Sequence, residues 1–129
     1  MVRFMLDQAA AGDPEEVCGV LGGAGRQAFV IRALRNVAAQ PHVRYAVDPG
    51  EQIAAMLEFE ARGWELVGIY HSHPRGPAHP SETDITESYY PGVVYFIVSL
   101  VDSVAPQITA WLIETGRALP VAWRSVADA

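Results

Sequence analysis

The sequence predicts a single α/β (α+β) domain spanning residues 1–129, with one mixed β-sheet flanked by helices. Strand-length apolar runs alternate with helix-periodic stretches through the first two thirds, and the end is strand-rich. With 129 residues, 50% hydrophobic and 19% charged, the chain can bury a core but is too short for two comfortable domains. No repeat period or linker-like tract divides it.

Val2, Met5, Leu6, Ala9 and Ala10 follow the i, i+3, i+4, i+7, i+8 spacing of one helix face, and Gly12, Asp13 and Pro14 end that helix. Val17 to Leu21 is a short apolar run closed by Gly22 and Gly23, which reads as a buried strand turning tightly. Gln27 to Leu34 forms the second arm of the hairpin. Asn36 to Val47 is polar and reads as loop, with a short strand at Tyr45–Val47. Asp48 is an N-cap, Pro49 occupies the first helical position, and Glu51 completes a capping-box-like pattern. Ile53, Met56 and Leu57 mark the buried face of this second helix, and Gly63 stops it. Trp64 to Tyr70 is a strand leading straight into His71. A Pro/Gly loop follows, then a short helix at Ser81 to Ser88. Val93 to Leu100, Gln107 to Glu114 and Leu119 to Val126 are three further strands.

Composition excludes several classes. A net charge of −6 and a pI near 5.0 argue against nucleic-acid binding, which needs a basic stripe. The longest apolar run, around Val93 to Leu100, is far short of a bilayer span. Asp7 and Gln8 interrupt any signal-like block at the N-terminus. Cys18 is the single cysteine, so no intrachain disulfide can form. These features together place the protein in the cytoplasm.

The chemistry concentrates in HSHPRGPAHPSETD, residues 71–84. Side chains alternate faces along a strand, so His71 and His73 project to the same side and can meet one cation. Asp84 follows after a loop long enough to fold back, and can supply an oxygen as third ligand. Two nitrogens and a carboxylate oxygen make the ligand set of a catalytic zinc whose fourth position is left to water. Glu16, just before the first strand, is the candidate base for that water. Ser81 offers a hydroxyl to the oxyanion of a hydrolysed carbonyl. Metal, base and oxyanion donor together make a peptide or isopeptide hydrolase.

Glu16 in EVCGVLGG, then His-x-His-Pro, then seven residues between His73 and Ser-x-x-Asp, resembles the JAMM (MPN+) metalloproteases. The resemblance spans roughly Pro14 to Ser99. It implies an MPN/JAMM-like fold and one zinc per chain on His71, His73 and Asp84, with Glu16 as general acid/base and Ser81 stabilising the tetrahedral intermediate. The compact chain lacks the longer insertions of the eukaryotic polyubiquitin-cleaving members and looks like the short prokaryotic branch. By that resemblance the expected partner is a ubiquitin-like sulfur-carrier protein, cleaved after its C-terminal Gly-Gly.

The same residues have plainer readings. Ser81 and Asp84 make an N-cap and N3 pair at a helix start, a role compatible with the chemical one. Cys18, on an apolar strand, is a small core residue rather than a nucleophile. His79 sits among prolines in a loop and receives no role. Trp64, Trp111 and Trp123 are expected in the core. A cell-wall or phage-tail peptidase is the alternative substrate reading, and a metal-free MPN scaffold the alternative class; every ligand position being filled speaks against the scaffold. A zinc deaminase needs a Pro-Cys-x-x-Cys element that one cysteine cannot make. The apolar N-terminal helix offers a surface for a homodimer.

Overall fold

Glycine punctuation sets the first hairpin. Gly25, at φ +59°, lets the chain reverse between β1 (Cys18–Ala24) and β2 (Gln27–Leu34), which pair antiparallel. The computed structural model describes residues 1–102 and 104–126. Its remaining elements are α1 (Val2–Gly12), α2 (Pro49–Ala61), β3 (Glu65–His73), α3 (Glu82–Thr86), β4 (Val94–Ser99), β5 (Gln107–Glu114) and β6 (Arg117–Val121). Among the described residues no helix is long and apolar enough to cross a membrane.

The strands form one six-stranded sheet in the order β2-β1-β3-β4-β5-β6. Every neighbouring pair is antiparallel except β3 and β4. A parallel pair cannot be joined by a tight turn, so the chain leaves β3, crosses through residues 74–93 and re-enters at β4. That crossover carries α3 past the carboxyl end of β3. From Gly68 onward β3 is buried without interruption, as a central strand covered on both faces must be.

Two apolar layers hold the sheet. Cys18, Val20, Leu34, Ile69, Tyr95 and Ile113 pack with Ala55 and Phe59 of α2. Leu21, Tyr70 and Val98 pack with Met5 and Ala9 of α1. The α1 stripe is the predicted one, except that Ala10 is exposed. Gly19 is required beside Tyr70, because a Cβ there would overlap the tyrosine ring.

Four sequence expectations are corrected. Ile53 and Leu57 do not face the core; they are 60% and 59% exposed. The buried stripe of α2 runs through Ala55 and Phe59, with Met56 half-buried, because the Phe59 ring fills the space that a Cβ at Gly22 would occupy. Residues 45–47 form no strand, only an isolated bridge from Val47 to Asn36. The Asn36 side chain replaces a ladder, its Oδ1 accepting from Ala38 and Ala46 N–H and its Nδ2 donating to the Arg44 carbonyl. Third, the last strand is Arg117–Val121 rather than 119–126, pairing antiparallel with β5 across the Thr115–Gly116 turn. Trp123 therefore lies beyond the sheet and is 38% exposed, its ring edge-on to Phe96 and its Nε1 donating to the Ile108 carbonyl at 3.2 Å. Finally, Asp48 caps α2 by accepting from Glu51 N–H at 3.1 Å, but the box is not reciprocal, since Glu51 accepts from Arg35 N–H instead.

This helix phase predicts opposite outcomes at two neighbouring positions. Phe59→Ala removes a fully buried ring and should cost about 3–5 kcal/mol. Leu57→Ala should stay within about 0.5 kcal/mol of the parent. Urea denaturation checks both, and a larger loss for Leu57→Ala would place the other face of α2 against the sheet.

Candidate metal centre and active site

The site is assembled at the carboxyl end of β3. His71 lies between Cys18 of β1 and Ile97 of β4, and the pleat turns His73 to the same face. Both imidazoles are buried. Asp84 arrives from the crossover, where Ser81 starts α3 with a complete capping box. The Ser81 hydroxyl accepts from Asp84 N–H at 3.0 Å, and Asp84 Oδ2 accepts from Ser81 N–H at 2.9 Å. The cap thus fixes the position of one carboxylate oxygen.

That oxygen lies 3.1 Å from His71 Nε2 and 3.0 Å from His73 Nε2, and the two nitrogens are 3.0 Å apart. The three atoms form a nearly equilateral triangle. His73 Nδ1 donates its proton to the Pro77 carbonyl at 2.8 Å, which leaves a lone pair on Nε2 of the neutral ring. A neutral His71 can bring one proton to the triangle at Nε2, which leaves the His73–Asp84 edge as two facing lone pairs. A cation at the centre satisfies all three atoms, and the donor set of two imidazole nitrogens and one carboxylate oxygen suits zinc.

The loop that holds Pro77 is itself braced against the sheet. Ser99 Oγ donates to the Gly76 carbonyl at 2.6 Å, and Thr109 Oγ1 donates to the Ala78 carbonyl at 2.7 Å. Trp111 Nε1 in turn donates to Thr109 Oγ1 at 2.8 Å. His79 is exposed and lies over Trp111, with ring centroids 5.5 Å apart.

Glu16 reaches the triangle from just before β1. Its N–H donates to the Pro41 carbonyl at 2.7 Å, and its own carbonyl accepts from Asn36 Nδ2 at 2.9 Å. Ser72, between the two histidines, ties the next residue down: its N–H donates to the Val17 carbonyl and its hydroxyl accepts from Val17 N–H. The carboxyl group is buried, and Oε1 makes no hydrogen bond. Glu16, His71 and His73 each offer a ligand-type atom within 4.8 Å of the other two.

Burial pushes the Glu16 carboxyl up to about 7, with His73 pulling it down and Asp84 pushing it up. A dication among the ligands would pull it down further. For Asp84, burial works in the same upward direction, but the neighbouring His71 and His73 rings and the Ser81 N–H hold it well below the usual carboxylate range. Burial lowers His71. At His73 burial opposes the charge, yet Asp84 and the Pro77 carbonyl outweigh it and raise the ring. The Cys18 thiol is pushed up to about 12 by burial, as befits a core residue whose Sγ points at the Leu34 carbonyl.

The structure thus brings together Glu16, His71, His73, Ser81 and Asp84, and leaves His79 outside. Sequence reading missed Tyr45, whose ring stacks on His71 with centroids 4.3 Å apart and planes 21° apart. It also missed Asn36, Ser72 and the Pro77 carbonyl. Only Ser72 had a signal, its place between two co-facing histidines.

A protein-family model described as prokaryotic homologs of the JAB domain matches residues 1–114. A desampylase of Haloferax volcanii is 45% identical over 95 residues, covering 71% of this chain and 68% of that protein. A CysO-cysteine peptidase of Mycobacterium tuberculosis is 31% identical over 118 residues, covering 90% of this chain and 80% of that protein. The solution structure of protein DSY2949 from Desulfitobacterium hafniense superposes with a TM-score of 0.82 at 31% identity, covering 93% of this chain and 84% of that one.

The capping geometry can be tested without any substrate. Ser81→Ala removes the acceptor for Asp84 N–H from a helix of five residues, and should lower stability by about 1 kcal/mol. Ser81→Thr keeps the acceptor and should lose less. Urea melts of the two variants decide it: equal stability of Ser81→Ala and the parent would remove the cap from the account.

Proposed function

This chain belongs to the prokaryotic homologs of the JAB domain, and from that premise we propose a zinc-dependent peptidase or isopeptidase acting after the C-terminal Gly-Gly of a ubiquitin-like sulfur-carrier protein. One observation carries the reading: three lone-pair atoms converge within 3.1 Å of one another beside a second buried carboxyl group that has an uncommitted oxygen. A metal-free scaffold would have no use for that arrangement.

In this mechanism His71, His73 and Asp84 would hold one zinc, the histidines carried by β3 and Asp84 fixed by the α3 cap. Zinc at that point supplies Lewis-acid activation of water and of the scissile carbonyl. Glu16 takes a proton from the attacking water and passes it to the leaving amine as the C–N bond breaks, giving a carboxylate and an amine. Its uncommitted oxygen makes it free to move that proton. Ser81 Oγ already accepts from Asp84 N–H, so its own hydrogen is free to be donated to the oxygen that gains charge at the carbonyl.

Support for the substrate class comes from the relatives' names, a desampylase and a CysO-cysteine peptidase. A tail lacking Cβ atoms suits a site sunk at the end of a central strand, because its backbone can approach the ligands closely. The extended tail can also be held through main-chain hydrogen bonds.

Two experiments test the reading. Purified protein should carry one zinc per chain, and His71→Ala and Asp84→Ala should lose most of it; equal zinc in all three would end the ligand assignment. The second experiment presents a carrier with a C-terminal Gly-Gly-X extension and reads intact mass. Release of X is expected, with Glu16→Gln keeping its zinc but slowing turnover by about 10²–10⁴-fold. A Gly→Val tail should be a poor substrate. Full turnover by Glu16→Gln, or equal cleavage of the valine tail, would overturn the mechanism or the substrate assignment respectively.

A further inference from the structure

The two histidines are held in different ways. A metal-binding imidazole is normally oriented by a hydrogen bond from its second nitrogen, which fixes both ring angle and tautomer. His73 has such a bond, to the Pro77 carbonyl at 2.8 Å. His71 has none: its Nδ1 is buried and makes no hydrogen bond. Its strand neighbours, Cys18 and Ile97, are both fully buried and give the ring an apolar cradle. The one group laid flat against the ring is Tyr45, at 4.3 Å between centroids and 21° between planes.

We propose that Tyr45 is a positioning residue for His71, its ring face doing by stacking what the Pro77 carbonyl does for His73 by hydrogen bonding. The inference rests on the reading of His71 as a zinc ligand. A ring that donates a lone pair to a cation becomes electron-poor, and an electron-rich phenol face lies against it more favourably. Metal binding and stacking therefore favour each other, and each must weaken when the other is lost. Tyr45 is itself held by the Asn36 hub, whose Oδ1 and Nδ2 bond the residues on either side of it, Ala46 and Arg44. The 36–47 loop thus reaches the metal centre through one aromatic ring.

The test uses the full chain. Zinc affinity is measured by competition with a chromophoric chelator, the cobalt(II)-loaded absorption spectrum reports the ligand geometry, and the metal-free form is melted separately. Tyr45→Phe keeps the ring face and should bind zinc within about twofold of the parent. Tyr45→Leu fills the space without a ring and should bind about 10-fold or more weakly, with a changed cobalt spectrum and a nearly unchanged metal-free melting temperature. Tyr45→Met makes the same comparison should the leucine variant not fold. Parental affinity and spectrum in the leucine or methionine variant would overturn the proposal while leaving zinc at His71 intact. Affinity that falls only in step with the metal-free melting temperature would overturn it too. A parent that binds no zinc would bring down the functional reading, and this inference with it.

Discussion

Two imidazole nitrogens and a carboxylate oxygen held 3.0–3.1 Å apart in a buried place repel one another when their lone pairs face inward, and much of this fold works to keep them there. Desolvated like-signed dipoles are costly, so the restraint must come from elements that cannot easily relax. Each of the three groups has such a restraint. His71 and His73 sit on a strand hydrogen-bonded on both sides, Asp84 is clamped by a reciprocal cap, and the loop between them is tied to β4 and β5 by Ser99 and Thr109. Arg44 adds an ion pair with Glu87 between the 36–47 loop and the far end of α3. A cation turns the mutual repulsion into attraction, so its binding relieves strain that the fold otherwise sustains.

The parallel pairing of β3 and β4 is the topological condition for this arrangement. Had those strands been antiparallel neighbours, a short turn could have joined them, and no segment would have carried a carboxylate back over the end of β3. The crossover does so, and its 74–80 portion is tied to β4 and β5 through Ser99 and Thr109. Ser99 lies opposite His73 in the β3–β4 register and bonds the loop at Gly76. The sheet that buries the histidines therefore also aims the loop that returns Asp84.

Local chemistry made much of this legible in the sequence. The hairpin, the caps at Asp48 and Ser81 and the strand into His71 depend on residues close in the chain, and each was read from its own signal. What escaped depends on neighbours far away in sequence. The face of α2 was set by the hollow at Gly22, more than thirty positions from Phe59, so ranking Ile53 and Leu57 by hydrophobicity chose the wrong side. A short strand at Tyr45–Val47 is the local expectation, but Asn36 satisfies the backbone there and leaves the Tyr45 ring to find His71. Sheet order follows from the same kind of long-range pairing. The motif residues were legible for the opposite reason: cation binding demands fixed residue types at fixed spacing, whatever the surrounding fold.

Two buried carboxyl groups flank the triangle, and their surroundings push them in opposite directions. Burial raises both. Asp84 then lies against two imidazole nitrogens and receives a hydrogen bond from a backbone N–H, which keep it ionised and commit its oxygen to the centre. Glu16 receives none at Oε1, and burial pushes it up to about 7, a rise that a neighbouring dication would reduce. A ligand must keep its negative charge and its place, whereas a proton carrier must be able to gain and lose a proton near the working pH and must not be bound to anything that blocks it. The division of labour proposed for Asp84 and Glu16 follows from that difference alone. It requires no distinction in their intrinsic acidity, only that Asp84 accepts a backbone N–H hydrogen bond beside the imidazoles while Glu16 Oε1 has no hydrogen-bond partner.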